Sequence, residues 1–165
     1  MIKGNKLLFV LSVMCAISVI VMIVALCIPK KQPEFVFTPP PFDENAVTGT
    51  PTVPENMGYS FLYQDGMSFK VGLCGKINIV KHTAEVYFTN VSENTVWLKA
   101  RFYDSKGNIL GESGLIKPGE YLKSIELNSD IKETDTVKLK IMSYEPETYN
   151  SVGAITLTPK ITISQ

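Results

Sequence analysis

Cysteine and histidine are nearly missing from this chain of 165 residues, which has three of the first and one of the second. Cys15 and Cys27 fall inside one apolar run, and Cys74 is the only cysteine beyond it. The part after the run therefore cannot form an internal disulfide, which excludes a small disulfide-built scaffold. Cys74 reads as a small buried apolar residue in a strand. A zinc site needs three or four ligands at recognisable spacing, and His82 with one cysteine cannot supply them. His82, in "VKHTA", reads as a solvated turn residue. No metal and no cofactor is expected.

Catalytic constellations are equally scarce. "GESG" (Gly111–Gly114) lacks the Gly-x-Ser-x-Gly spacing and the following helix of a serine-nucleophile elbow, so its glycines read as a bend or bulge. Asp43 with Glu44, and Glu145 with Glu147, are acidic neighbours in turns. Glycoside cleavage needs two carboxylates held across a bond, and nearness in sequence does not provide that. "DSKGN" (Asp104–Asn108) offers too few oxygens for a calcium loop. It reads as a hairpin in which Asp104 accepts from local amides and Gly107 takes a positive φ. The chain is expected not to be an enzyme.

Charge is missing from Leu7–Ile28. At about 1.5 Å per residue these 22 residues make a helix of about 33 Å, enough for the ~30 Å apolar core of a bilayer. Ser12 and Ser18 are its clearly polar members, and a helix can return their hydroxyls to its own carbonyls. The run exceeds the apolar core of a cleaved signal, and Ala25-Leu26-Cys27 before Ile28-Pro29 is a poor cleavage site. Residues 1–6 are expected as a short cytoplasmic tail and 7–28 as an uncleaved transmembrane signal anchor. Lys3 and Lys6 precede the run, and Lys30 and Lys31 follow it, with Glu34 close by. The expectation is a single pass through the plasma membrane, N-terminus inside and the C-terminal domain outside. Beyond the anchor and its flanking lysines, twelve basic residues face sixteen acidic ones, which argues against a nucleic-acid partner.

Helical periodicity is missing after the anchor. Pro29–Gly58 holds seven of the ten prolines, which excludes helix and favours extended chain. Residues 29–41 read as a proline-rich spacer. Residues 42–66 read as an extended leader docked on the domain, because Phe42, Val47, Val53, Met57 and Tyr59 are more apolar than a free linker needs. Period two then dominates. Val86 and Phe88 alternate with Glu85, Tyr87 and Thr89. Val96, Leu98, Ala100 and Phe102 alternate with Trp97, Lys99, Arg101 and Tyr103. Val137, Leu139 and Ile141 alternate with Lys138, Lys140 and Met142. Ile155, Leu157, Ile161 and Ile163 share one long strand, in which Pro159 demands an edge or a bend between sheets. Shorter candidates are Ser68–Leu73, Lys76–Val80, Ile109–Gly111 and Tyr121–Leu127. The expected fold is all-β: an antiparallel β-sandwich of about 7–8 strands over 67–165, preceded by one transmembrane helix and the proline-rich segment.

"WLKARFYDSKGNILGESGLIKPGEYLKSIEL" (Trp97–Leu127) resembles the centre of immunoglobulin-like domains of bacterial cell-surface proteins, including the FxLYD type. The matching pieces are Phe102-Tyr103-Asp104, Gly107, and Ile116-Lys117-Pro118-Gly119-Glu120, with Phe-Tyr-Asp standing for a fuller Phe-x-Leu-Tyr-Asp. The resemblance implies an Ig-like sandwich. The layout of anchor, proline-rich stretch and single β domain is similar to small envelope proteins of Gram-positive bacteria.

These features define an expected role as a membrane-anchored extracytoplasmic interaction or scaffolding module. Its partners would be membrane lipid through 7–28 and an envelope protein or glycan. One alternative is an accessory or inhibitory subunit of a membrane or secretion complex. Another is a glycan- or ligand-binding sensor domain. Trp97, Tyr103 and Tyr87 point away from the expected core and, with Phe42, form the candidate interaction surface. The competing reading is that the leader covers these aromatics.

Overall fold

A computed structural model describes residues 3–27, 37–132 and 135–164. The chain forms two compact units, Met1–Thr38 and Pro39–Gln165.

The first unit holds one helix, α1 (Lys3–Cys27), of 25 residues. It begins at Lys3, so part of the expected tail 1–6 is helical. Ser12 and Ser18 donate their hydroxyls to the carbonyls of Phe9 and Cys15, each at 2.9 Å. Every described side chain from Leu8 to Val24 is exposed. Counted over the residues described to their side chains, no helix is long and apolar enough to cross a membrane. The expected span 7–28 runs past those residues at both ends, and the fold itself does not establish it. Most of the expected spacer, 29–36, lies outside the described residues.

The second unit is built from two sheets. One contains β1 (Val47–Thr48), β2 (Tyr59–Leu62), β3 (Val71–Cys74), β4 (Lys76–Val80), β5 (Thr83–Asn90), β8 (Glu120–Glu126) and β11 (Lys160–Ser164). The other contains β6 (Trp97–Tyr103), β7 (Ile109–Glu112), β9 (Lys138–Tyr144) and β10 (Ser151–Leu157), in the order β10-β9-β6-β7, all antiparallel. In the first sheet the order runs β1-β8-β5-β3-β2, while β4 pairs with β5 and with β11. β3 and β4 are one strand position interrupted at Gly75. The amide of Gly75 donates to Gly58 and its carbonyl accepts from Lys160, so the pairing partner changes there from β2 to β11. β11 lies parallel to β4, and the other pairings in this sheet are antiparallel.

Alternation explains the core. Val86 and Phe88 of β5, Leu98, Ala100 and Phe102 of β6, Leu122 of β8, and Leu139 and Ile141 of β9 are buried in one cluster drawn from both sheets. That is the packing of a β-sandwich, with each strand giving every second residue to the interior. Ile155, Leu157 and Ile161 pack on this cluster half-buried. The expected last strand is two strands in different sheets. Pro159 sits between them, where the missing amide proton ends the pairing of one sheet and the fixed φ helps turn the chain to the other.

Asn90, fully buried at the end of β5, ties three connections together. Its amide donates to the carbonyls of Val96 (2.8 Å) and Ile116 (3.0 Å), and its Oδ1 accepts from Asn94 Nδ2 (2.6 Å). Asn94 in turn clamps Lys70, accepting from its amide and donating to its carbonyl. The Lys117-Pro118-Gly119-Glu120 corner closes on the same place. Gly119 has φ 80° and donates its amide to the Asn90 carbonyl at 2.8 Å.

Candidate interaction surfaces

The leader is the first determinant of what surface remains. Phe42 bridges Leu115, the Asp43 amide donates to the Leu115 carbonyl (2.9 Å), and the Leu115 amide donates to Pro41 (2.9 Å). Asp43 Oδ2 accepts from the Gly114 amide at 2.7 Å. Gly114 must be glycine for this approach, since a Cβ there would meet the Asp43 amide nitrogen at 2.5 Å. Gly111 is similarly constrained, because its Cβ would run into the carbonyl of Glu126. The two glycines of "GESG" thus admit neighbouring backbone, which sequence reading took as a bend. Further on, β1 pairs with β8, and β2 pairs with β3.

The four expected surface aromatics do not form one surface. Tyr87 is a correction. It belongs to the other sheet from Trp97 and Tyr103 and is buried, 6 % exposed, against Met57 and Cys74. Val86 and Tyr87 together stand opposite the single residue between Leu122 and Ser124, a bulge in which Tyr87 adopts φ 46°. The leader turn Glu55–Met57 supplies Met57 to this cluster, with Val53 and Tyr59 at its margin. Tyr59 reaches across Gly72 to donate its hydroxyl to Thr89 Oγ1 at 2.8 Å, and a Cβ on Gly72 would collide with that hydroxyl. Burial pushes the Cys74 thiol up to about 11, with the Glu85 charge adding to it.

Phe42 and Trp97 do meet. Their rings lie edge to face at 4.8 Å, and Tyr149 packs on the other ring contact of Trp97 at 5.1 Å. Lys117 Nζ sits over the Phe42 ring at 4.7 Å. Trp97 is left half-buried, so the leader takes up part of the surface that sequence reading left open.

The outward face of the four-stranded sheet is the remaining candidate. Cross-strand register sets Trp97 opposite Tyr144, Lys99 opposite Met142, Arg101 opposite Lys140, and Tyr103 opposite Lys138. Glu112 on β7 pairs with Arg101 from the other side. Its carboxylate binds Lys99 Nζ at 2.9 Å and Arg101 Nε at 2.6 Å. Burial raises the Glu112 pKa, but the hydrogen bonds and charges of Lys99 and Arg101 outweigh it and hold the group below the usual range. Arg101 also donates to the Tyr103 hydroxyl at 3.2 Å. Lys138 and Lys140 have no carboxylate partner among the described residues. Sequence reading noticed the aromatics of this face but missed its cations. The signal was available as the lysines alternating with Val137, Leu139 and Ile141.

The other sites considered for chemistry are accounted for locally. Asp104 accepts from the amides of Lys106 and Asn108 (both 2.8 Å) and from Asn108 Nδ2 (2.7 Å), which lowers its pKa, and Gly107 takes φ 88°. His82 is exposed, 3.7 Å from a still more open Asp130. Among the described residues no group of three or more His, Cys, Asp or Glu side chains could hold a metal. A polar groove between Met57, Lys76, Asn78 and Glu85 has a volume of about 300 Å³. Its side chains already bond each other, Asn78 to Glu85 at 3.1 Å and Ser164 to Asn78 at 2.7 Å. The chain matches no protein-family model, and no curated protein matches it at a significant level.

Proposed function

We propose that this protein is a membrane-tethered, non-catalytic interaction module of the cell envelope. Residues 7–28 serve as a single-pass anchor with the N-terminus inside, and the β unit stands outside as an Ig-like sandwich. The observation that carries the reading is the pairing of two unlike parts. A helix without a charge from Leu7 to Cys27 precedes a β unit whose core closes on itself. A helix of the first kind needs an apolar surrounding on every side, and a bilayer provides one. The Ig-like assignment draws on strand order. β3, β5 and β8 follow one another as strands A, B and E do, and β7-β6-β9-β10 follow the order C′-C-F-G. The leader strand β1 stands in the position of strand D. The outward face of β6 and β9 offers the contact surface, with Trp97 and Tyr103 at opposite ends of β6.

Protease accessibility tests this. Protease added to intact cells should remove the β unit and leave a membrane-bound fragment containing 7–28. If the β unit is cut only after lysis, the exported topology is wrong. If the whole chain extracts with carbonate instead of staying with the membrane, the anchor is wrong.

A further inference from the structure

The outward face of the β10-β9-β6-β7 sheet carries a charge pattern that works against its own stability. Lys99, Arg101, Lys138 and Lys140 occupy neighbouring positions on two adjacent strands, with Glu112 as the one carboxylate among the described residues that pairs with any of them. Arg101 stands directly opposite Lys140, and like charges in that relation destabilise a sheet. The β unit as a whole tends the other way, with fifteen acidic and twelve basic residues from Pro39 onward. A cationic face on an acidic unit is a segregated charge, and it has an electrostatic use only against an anionic partner.

The side chains of this face rise from four hydrogen-bonded strands, and Lys99 lies down against Glu112 with its side chain 7 % exposed. Lys138 is exposed and Lys140 is half-buried, so these two amines are the reachable charges. Tyr103 and Tyr144 flank them across the register. Phe42, which packs on Trp97 at one end of the face, follows Cys27 by only fourteen intervening residues. Fully extended, such a segment reaches about 45–50 Å.

We propose that this face is a docking surface for an anionic bilayer, contacting lipid headgroups through Lys138 and Lys140 with Tyr103 beside them. Basic groups near an anionic leaflet gain attraction within a Debye length of it. The inference rests on the anchor reading for its source of lipid. A tether of this length holds the face near a bilayer at high effective concentration, so weak attraction suffices for docking. Carboxylates lie beyond both ends of the sheet, Glu145 and Glu147 in the β9–β10 turn and Asp104, Asp130 and Asp135 around the start of β9, so the contact is confined to the face between them.

The test uses amine acylation read by mass spectrometry on the full chain in nanodiscs. One set contains phosphatidylcholine alone, the other phosphatidylcholine with phosphatidylserine. In anionic discs Lys138 and Lys140 should acylate at least about fivefold more slowly than in neutral discs, the factor set by roughly one cation's attraction. Lys123, on the other sheet, should not change, and the protection should vanish at high salt. Equal rates for Lys138 and Lys140 in the two discs overturn the proposal. So does protection by soluble dextran sulfate with none from anionic discs, which would assign the face to a polyanion instead. A failure of the anchor registers separately, as chain that does not elute with discs. Residues 39–165, whose core is self-contained, then take the same labelling with vesicles of both compositions. With lipid raised to match the effective concentration the tether would give, protection by the anionic vesicles alone supports the face, and none refutes it.

Discussion

Replacing Gly114 with alanine tests whether the leader belongs to the domain. The new Cβ would lie 2.5 Å from the Asp43 amide nitrogen and 2.6 Å from its Cα. Both are backbone atoms, so no rotamer change relieves the overlap. Either the β7–β8 connection or the leader must move. Four interactions are at stake: the Asp43–Leu115 and Leu115–Pro41 backbone bonds, the Gly114–Asp43 carboxylate bond, and the Phe42–Trp97 ring contact. Two neutral bonds contribute about 1–3 kcal/mol together, the charged one about 1.5–3, and the ring pair about 0.5–1.5. Releasing the leader returns chain entropy of about 1–2 kcal/mol per residue, so the net loss falls well below that gross sum. Overpacking of this kind costs about 1–3 kcal/mol, and that is the expected loss in urea unfolding. Amide exchange is the sharper measurement. The amides of Asp43, Leu115 and Gly49 should lose protection in the variant, while those of β6 and β9 keep theirs. Unchanged protection of Asp43 and Leu115 would refute the claim that backbone contact at Gly114 seats the leader.

Four further outcomes are expected. Asn90→Ala leaves the Val96 and Ile116 carbonyls without their buried donor and should cost about 2–4 kcal/mol in chemical denaturation; a loss below 0.5 on the order of measurement error would remove Asn90 as a structural tie. Glu112→Gln should destabilise by about 1–3 kcal/mol, because the nearly buried Lys99 loses its carboxylate partner; Glu112 itself is partly exposed, which tempers the effect. The Glu112 pKa is depressed in the folded state, so its contribution is present above the ordinary glutamate range and is lost as pH falls through the folded value. Denaturation midpoints measured down through that window should fall less steeply in Glu112→Gln than in the parent. For Cys74 the sign reverses. Its folded pKa is raised to about 11, so the unfolded thiol ionises first, and stability present below the ordinary thiol range declines as pH climbs toward that value. Cys74→Ala should flatten that decline relative to the parent, and equal slopes would remove Cys74 as its source.

Legibility in the sequence followed periodicity. Leu98, Ala100 and Phe102, and Leu139 and Ile141, were recognisable as interior because a strand alternates its side chains and a sandwich buries one face of each sheet. The Asp104–Asn108 hairpin was readable for a similar reason, since an Asx side chain and a positive-φ glycine act on residues a few positions away. Tyr87 was not readable in this way. Alternation placed it outward, and outward it is, but which sheet it joins and what lies over it depend on Met57, thirty residues earlier. Trp97 and Tyr103 share a strand and lie on one face of its sheet, which alternation along a single strand is enough to place.

What the sequence determined by itself is local: the uncharged apolar run, the strand faces and the turn residues. Each follows from steric and solvation preferences of residues close together in the chain. What only the tertiary structure decided is pairing. It put β10 and β11 in different sheets around Pro159, brought Asp43 against a glycine at position 114, and set Arg101 opposite Lys140. Strand partners far apart in sequence are selected by how the whole core closes. The charges and aromatics that become neighbours on the surface are a consequence of that closure, and no local pattern carries them.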